Sequence, residues 1–93
     1  MEKIAVILPV YKNDKVDYLG KAVESILYQT YRYIHLYIGV DGPVGVDLKN
    51  SLEVIDRQSC VSIEWFPENR GLACVLNDLL DICFKEGYEY IAC

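Results

Sequence analysis

Ninety-three residues are enough for one small domain, and a chain of this size buries only roughly 60–65% of its unfolded surface, so its core has little stability to spare. With 53% hydrophobic and 25% charged residues, the composition is that of an ordinary folded protein and argues against a disordered or fibrous chain. The net charge is −5 and the nine Lys and Arg residues are scattered, which argues against a nucleic-acid-binding protein while leaving room for one bound nucleotide.

The first element follows directly from the amino terminus. Ile4-Ala5-Val6-Ile7-Leu8 is a continuous apolar run closed by Pro9, the pattern of a strand buried on both faces of a parallel sheet. Five apolar residues are too few for a signal-peptide core or a membrane span, so the chain is expected to be cytoplasmic. A polar loop over Lys12–Lys15 leads to Leu19, Ala22, Val23, Ile26 and Leu27, one face of a helix, with Asp17 as its expected N-cap.

Ile34–Val40 reads as the second strand, ended by the turn signal Asp41-Gly42-Pro43. Leu48, Leu52 and Ile55 mark a second helix of about ten residues. Val61–Phe66 is the third strand, stopped by Pro67. Leu72, Val75, Leu76, Leu79, Leu80 and Cys83 trace the third helix, and Gly87 stands where a glycine stop belongs. Tyr88–Cys93 begins a fourth strand.

This β-α-β-α-β-α-β order predicts a three-layer α/β fold, a parallel sheet with helices on both faces and right-handed crossovers, as in half of a doubly wound domain. The whole of 1–93 is read as a single partial domain. Ligands of such sheets sit beyond the carboxyl ends of the strands. That draws attention to Pro9-Val10-Tyr11, Asp41-Gly42 and Glu68-Asn69-Arg70-Gly71, which share one edge.

Each candidate has a chemical and a plainer reading. Asp41 could accept the imide N–H of a base or a ribose hydroxyl, or it could close its own turn by bonding the backbone two residues on. Arg70 stands at the start of the third helix, where free N–H groups and the dipole favour an anion, and could contact a base or phosphate. Alternatively, Asn69 caps that helix and Arg70 is solvated. Tyr11 could stack on a base, with Pro9 shaping the strand exit.

Other chemistry is poorly supported. Gly39, Gly42 and Gly45 follow the wrong strand at the wrong spacing for a dinucleotide fingerprint, and no P-loop occurs. Cys60, Cys74, Cys83 and Cys93 form no C-x-x-C pair and are expected to be reduced, mostly buried thiols. His35 is expected to be structural, and no Ser-His or Cys-His pair suggests a nucleophile, so no catalytic residue and no metal ligand are assigned.

Taken together, several stretches resemble family 2 glycosyltransferases of the GT-A fold. They are Val6–Tyr11, Ala22-Val23-Glu24-Ser25-Ile26-Leu27-Tyr28-Gln29-Thr30-Tyr31, Leu36–Gly42, Glu68-Asn69-Arg70-Gly71-Leu72-Ala73 with Asn77, and Tyr88–Ala92. The resemblance implies the front half of a Rossmann-like GT-A domain, which binds the nucleoside of a nucleotide-diphosphate sugar, a UDP-sugar above all. It places Pro9, Tyr11, Asp41 and Arg70 at the nucleotide.

Two departures bear on nucleotide preference: Val40-Asp41 replaces a pair of successive acids, and Gly42-Pro43 replaces Gly-Ser. The family's Asp-x-Asp motif, which holds Mg2+ or Mn2+ on the diphosphate, and its general base are not in these residues. The expectation is therefore a part of an inverting glycosyltransferase that is inactive alone and contains no cofactor site. The full-length enzyme could be peripheral to a membrane, and an open fourth-strand edge would favour self-association. The alternative is a non-catalytic, flavodoxin-like interaction module. A nucleotidyltransferase is a weaker third reading, because the loop after the first strand lacks the Gly-rich, Arg-containing character it would need.

Overall fold

The computed structural model describes residues 3–28 and 33–93. The Gln29-Thr30-Tyr31 part of the resemblance lies outside the described residues. Seven elements follow in alternation: β1 (Ile4–Val10), α1 (Val16–Leu27), β2 (Ile34–Asp41), α2 (Val46–Ile55), β3 (Val61–Phe66), α3 (Leu72–Lys85) and β4 (Tyr90–Ala92). The strands form one parallel sheet in the order β3-β2-β1-β4. This is the expected three-layer α/β arrangement, Rossmann-like in topology.

Side-chain alternation along the inner strands builds two cores. Val6 and Val10 of β1 and Leu36, Ile38 and Val40 of β2 pack with Leu19 and Val23 of α1 and Leu48 and Leu52 of α2. The intervening positions Ala5, Ile7 and Tyr37 face Val75, Leu79 and Cys83 of α3. Both faces of β1 and β2 are thus covered, which is why they read as unbroken apolar runs.

Several boundaries differ from expectation for identifiable reasons. β1 does not stop at Pro9 but runs through it to Val10. Ile4 donates its N–H to Tyr33 at the start of β2, so alternate N–H groups of β1 point to β2 and the odd-numbered ones point toward β4. The N–H that Pro9 lacks would point away from β2, so the β1–β2 ladder loses no bond.

Asp17 does not cap α1. Lys15 holds that place without a side-chain bond, and Asp17 lies in the first turn, where a carboxylate still favours the helix dipole. β4 begins at Tyr90 rather than Tyr88 because the chain is first occupied in closing α3. Gly87 donates to the Phe84 carbonyl and Tyr88 to the Cys83 carbonyl, the paired bonds of a Schellman motif.

The cysteines are all free, but only Cys83 is buried; Cys74 and Cys93 are exposed and Cys60 is half-buried. Burial pushes the Cys83 thiol up, in keeping with an inert core residue. His35 lies on β2, in the sheet as expected: its Nε2 lies 2.8 Å from Ser62 Oγ, and its ring sits 4.7 Å from that of Tyr37. No helix among the described residues is long and apolar enough to cross a membrane.

Gly39 controls how closely α3 approaches the sheet. A Cβ at this position would lie 2.7 Å from Val75 Cγ1 and 3.0 Å from Leu79 Cδ1. Gly39→Ala is expected to cost about 1–3 kcal/mol through overpacking, read as a lower urea midpoint with an unchanged slope.

His35 generates a second expectation. Burial, together with Lys3, lowers its pKa below the usual 6.5, so the unfolded chain binds the proton more readily than the folded one. The stability it contributes is present above that value and is lost as pH falls through it toward the lower folded value. Denaturation midpoints should drop as pH falls through about 6.5 and below, and His35→Gln should flatten that drop.

Candidate functional site

The sheet order places a reversal at β1. The chain moves outward through β2 and β3, then returns across the α3 face to β4 on the other side of β1. Crevices at such reversals, beyond the carboxyl ends of the strands, are where these folds hold ligands. A concavity of about 510 Å³ lies there, lined by Pro9, Tyr11, Asp14, Asp41, Asn69, Gly71, Leu72 and Val75. Its size is within the roughly 300–1,000 Å³ usual for small-molecule sites. A smaller concavity of about 380 Å³, lined by Lys3 and Glu86–Glu89, sits at the opposite, amino ends of β1 and β4.

Strand alternation explains why Pro9 and Asp41 share the cavity. Both continue the odd-numbered series that faces α3, and each is the last such residue of its strand. Tyr11 follows β1 directly and is 41% exposed, leaving its ring available to a ligand. Asp14 fastens this loop: its Oδ2 accepts the Tyr11 N–H at 2.9 Å, and its own N–H donates to the Tyr11 carbonyl at 2.9 Å.

Asp41 is the buried acid of the site, only 5% exposed. Its carboxylate does not close its own turn, because the residue two on is Pro43, which has no N–H to donate. Instead Oδ1 accepts the Arg70 N–H at 2.7 Å and Oδ2 accepts the Gly71 N–H at 3.0 Å. The Asn69 side chain adds a 3.3 Å bond to the Asp41 carbonyl, so Asn69 does not cap α3; that place belongs to Gly71, without a side-chain bond.

The turn after β2 makes room for this arrangement. Gly42 has φ +86°, and a Cβ there would lie 2.6 Å from the Asn69 nitrogen. A side chain is disfavoured on both counts.

Of the four residues expected at the nucleotide, the fold brings Pro9, Tyr11 and Asp41 to one cavity. The Arg70 guanidinium is not part of its lining: it pairs with Asp78 and lies 5.0 Å from the centre of the Phe66 ring. Sequence reading passes over Asp14, Leu72 and Val75 as site residues, yet all three line the cavity. Asp14 belongs to a polar loop, although an Asp three residues after the strand exit is well spaced to bond back to it. Asp78 had no signal in one dimension, since its partner lies eight residues earlier across a turn.

Among the described residues, no group of three His, Cys, Asp or Glu side chains is placed to hold a metal ion.

The chain is 30% identical over 98 aligned residues to a protein of Haemophilus influenzae described as an uncharacterized glycosyltransferase. The match takes in 99% of this chain and 38% of that protein, so the chain spans a little over a third of its relative's length. No protein-family model matches the chain. Homology to a protein bearing a glycosyltransferase name thus extends along essentially the whole chain.

The bonds at Asp41 set an expected outcome. Asp41→Ala would strand two N–H groups at the start of α3, costing about 1–3 kcal/mol in urea denaturation and speeding amide exchange at Arg70 and Gly71. Asp41→Asn, which keeps one acceptor oxygen, should fall between the two. Unchanged stability in the alanine variant would show that these bonds do not hold the turn.

Proposed function

We propose that this chain forms the nucleoside-binding part of a glycosyltransferase, belonging to the family 2, GT-A class that the sequence resembles. The observation that carries the reading is the convergence of Pro9, Tyr11 and Asp41 on one cavity at the carboxyl ends of β1 and β2. The glycosyltransferase name of the relative supports the same direction.

In this reading the Tyr11 ring packs against the base or ribose, and Pro9 forms the apolar floor beside it. Asp41 uses the lone pairs left free by its two backbone bonds. A carboxylate has about four acceptor directions, so after Arg70 and Gly71 it can still take an imide N–H or a ribose hydroxyl. The donor would be a nucleotide-diphosphate sugar, with a UDP-sugar as the leading candidate. The whole enzyme would carry the sugar to an acceptor hydroxyl with inversion. Mg2+ or Mn2+ on the diphosphate belongs to that larger proposal and requires ligands other than those described.

A titration of the chain with uridine, UDP, guanosine and GDP, followed by NMR, tests the reading. Weak, metal-independent binding is expected, with shifts at Tyr11, Asp41 and Leu72. Tyr11→Ala, at an exposed position, should weaken it by about fivefold or more, since stacking on a base is worth about 1–3 kcal/mol. Saturable binding that leaves those signals unmoved, or that Tyr11→Ala leaves intact, would overturn the assignment of this cavity.

A further inference from the structure

The Arg70 side chain turns away from the cavity onto two groups from different elements. Phe66 ends β3 and is the register partner of Asp41 in the β2–β3 ladder. Asp78 lies on α3, two turns beyond Arg70. The guanidinium rests over the Phe66 ring and is hydrogen-bonded to Asp78, so one side chain ties β3, the 67–71 turn and α3 together. The backbone of Arg70 meanwhile supplies one of the two N–H groups that hold the Asp41 carboxylate.

From this arrangement we infer that Asp78 and Arg70 are positioning residues for the cavity. By fixing the guanidinium across Phe66, Asp78 holds the 67–71 turn in the place where its N–H groups set the Asp41 carboxylate at the cavity wall. A direct contact between Arg70 and a ligand phosphate would require the guanidinium to leave both partners. Arg70 and Asp78 are each about two-fifths exposed, so the brace is a modest one, and its loss should loosen the turn without unfolding the chain. Its binding readout rests on the nucleoside reading of the cavity; its structural readout does not.

The test compares the wild-type chain with Asp78→Asn and Arg70→Ala by amide exchange and by titration with uridine and UDP. In both variants, exchange at Arg70 and Gly71 should quicken by about 1.5-fold to fivefold, while Gly87 and Tyr88 at the far end of α3 keep their rates. Uridine and UDP should weaken by the same factor, because the loss acts through Asp41 rather than on phosphate. Arg70→Lys, which keeps the charge toward Asp78, should recover part of both effects.

Selective loss of UDP affinity with unchanged amides would make Arg70 a phosphate contact and overturn the inference. Unchanged exchange and unchanged binding in both variants would reduce the pair to a solvated surface contact. Faster exchange at both ends of α3 would show general destabilisation and overturn it as well. If the wild-type chain binds neither uridine nor UDP, the nucleoside reading falls, and the exchange rates alone still decide whether the brace holds the turn.

Discussion

A carboxylate buried at the end of a strand has to find donors, and Asp41 finds them in residues that lie about thirty positions further along the chain. Those two bonds join the exit of β2 to the start of α3, the helix that changes sides of the sheet. Other local features follow from them. Gly42 must lack a side chain because the 68–69 backbone is pressed against it, and Gly39 must lack one because Val75 and Leu79 lie directly over β2. The wall of the cavity is therefore set by the same contacts that dock α3.

The electrostatic consequence is less obvious. The start of α3 is a place where backbone N–H groups favour an anion, but the anion there belongs to the protein. The cavity consequently presents Asp14 and Asp41 to a ligand, while Arg70, the nearby cation, is engaged with Asp78 outside the lining. Such a surface suits a ligand portion rich in N–H and O–H donors, as a base and ribose are. It is unsuited to the phosphate end of a nucleotide, whose charge would meet two carboxylates.

Much of the fold was legible because burial on both faces leaves a plain trace. The apolar runs of β1 and β2 and the three- and four-residue spacing on α3 identify these elements with boundaries close to those observed. Boundaries failed where hydrogen bonding rather than hydrophobicity decides. Pro9 did not end β1, and Tyr88 was consumed by the helix closure before β4 could start. The site was legible in part for the same reason. The parity of Pro9 and Asp41 is a property of strands, whereas the bonds of Asp41 to the 69–71 backbone and of Asn69 to Asp41 depend on how two distant turns meet, which no spacing encodes.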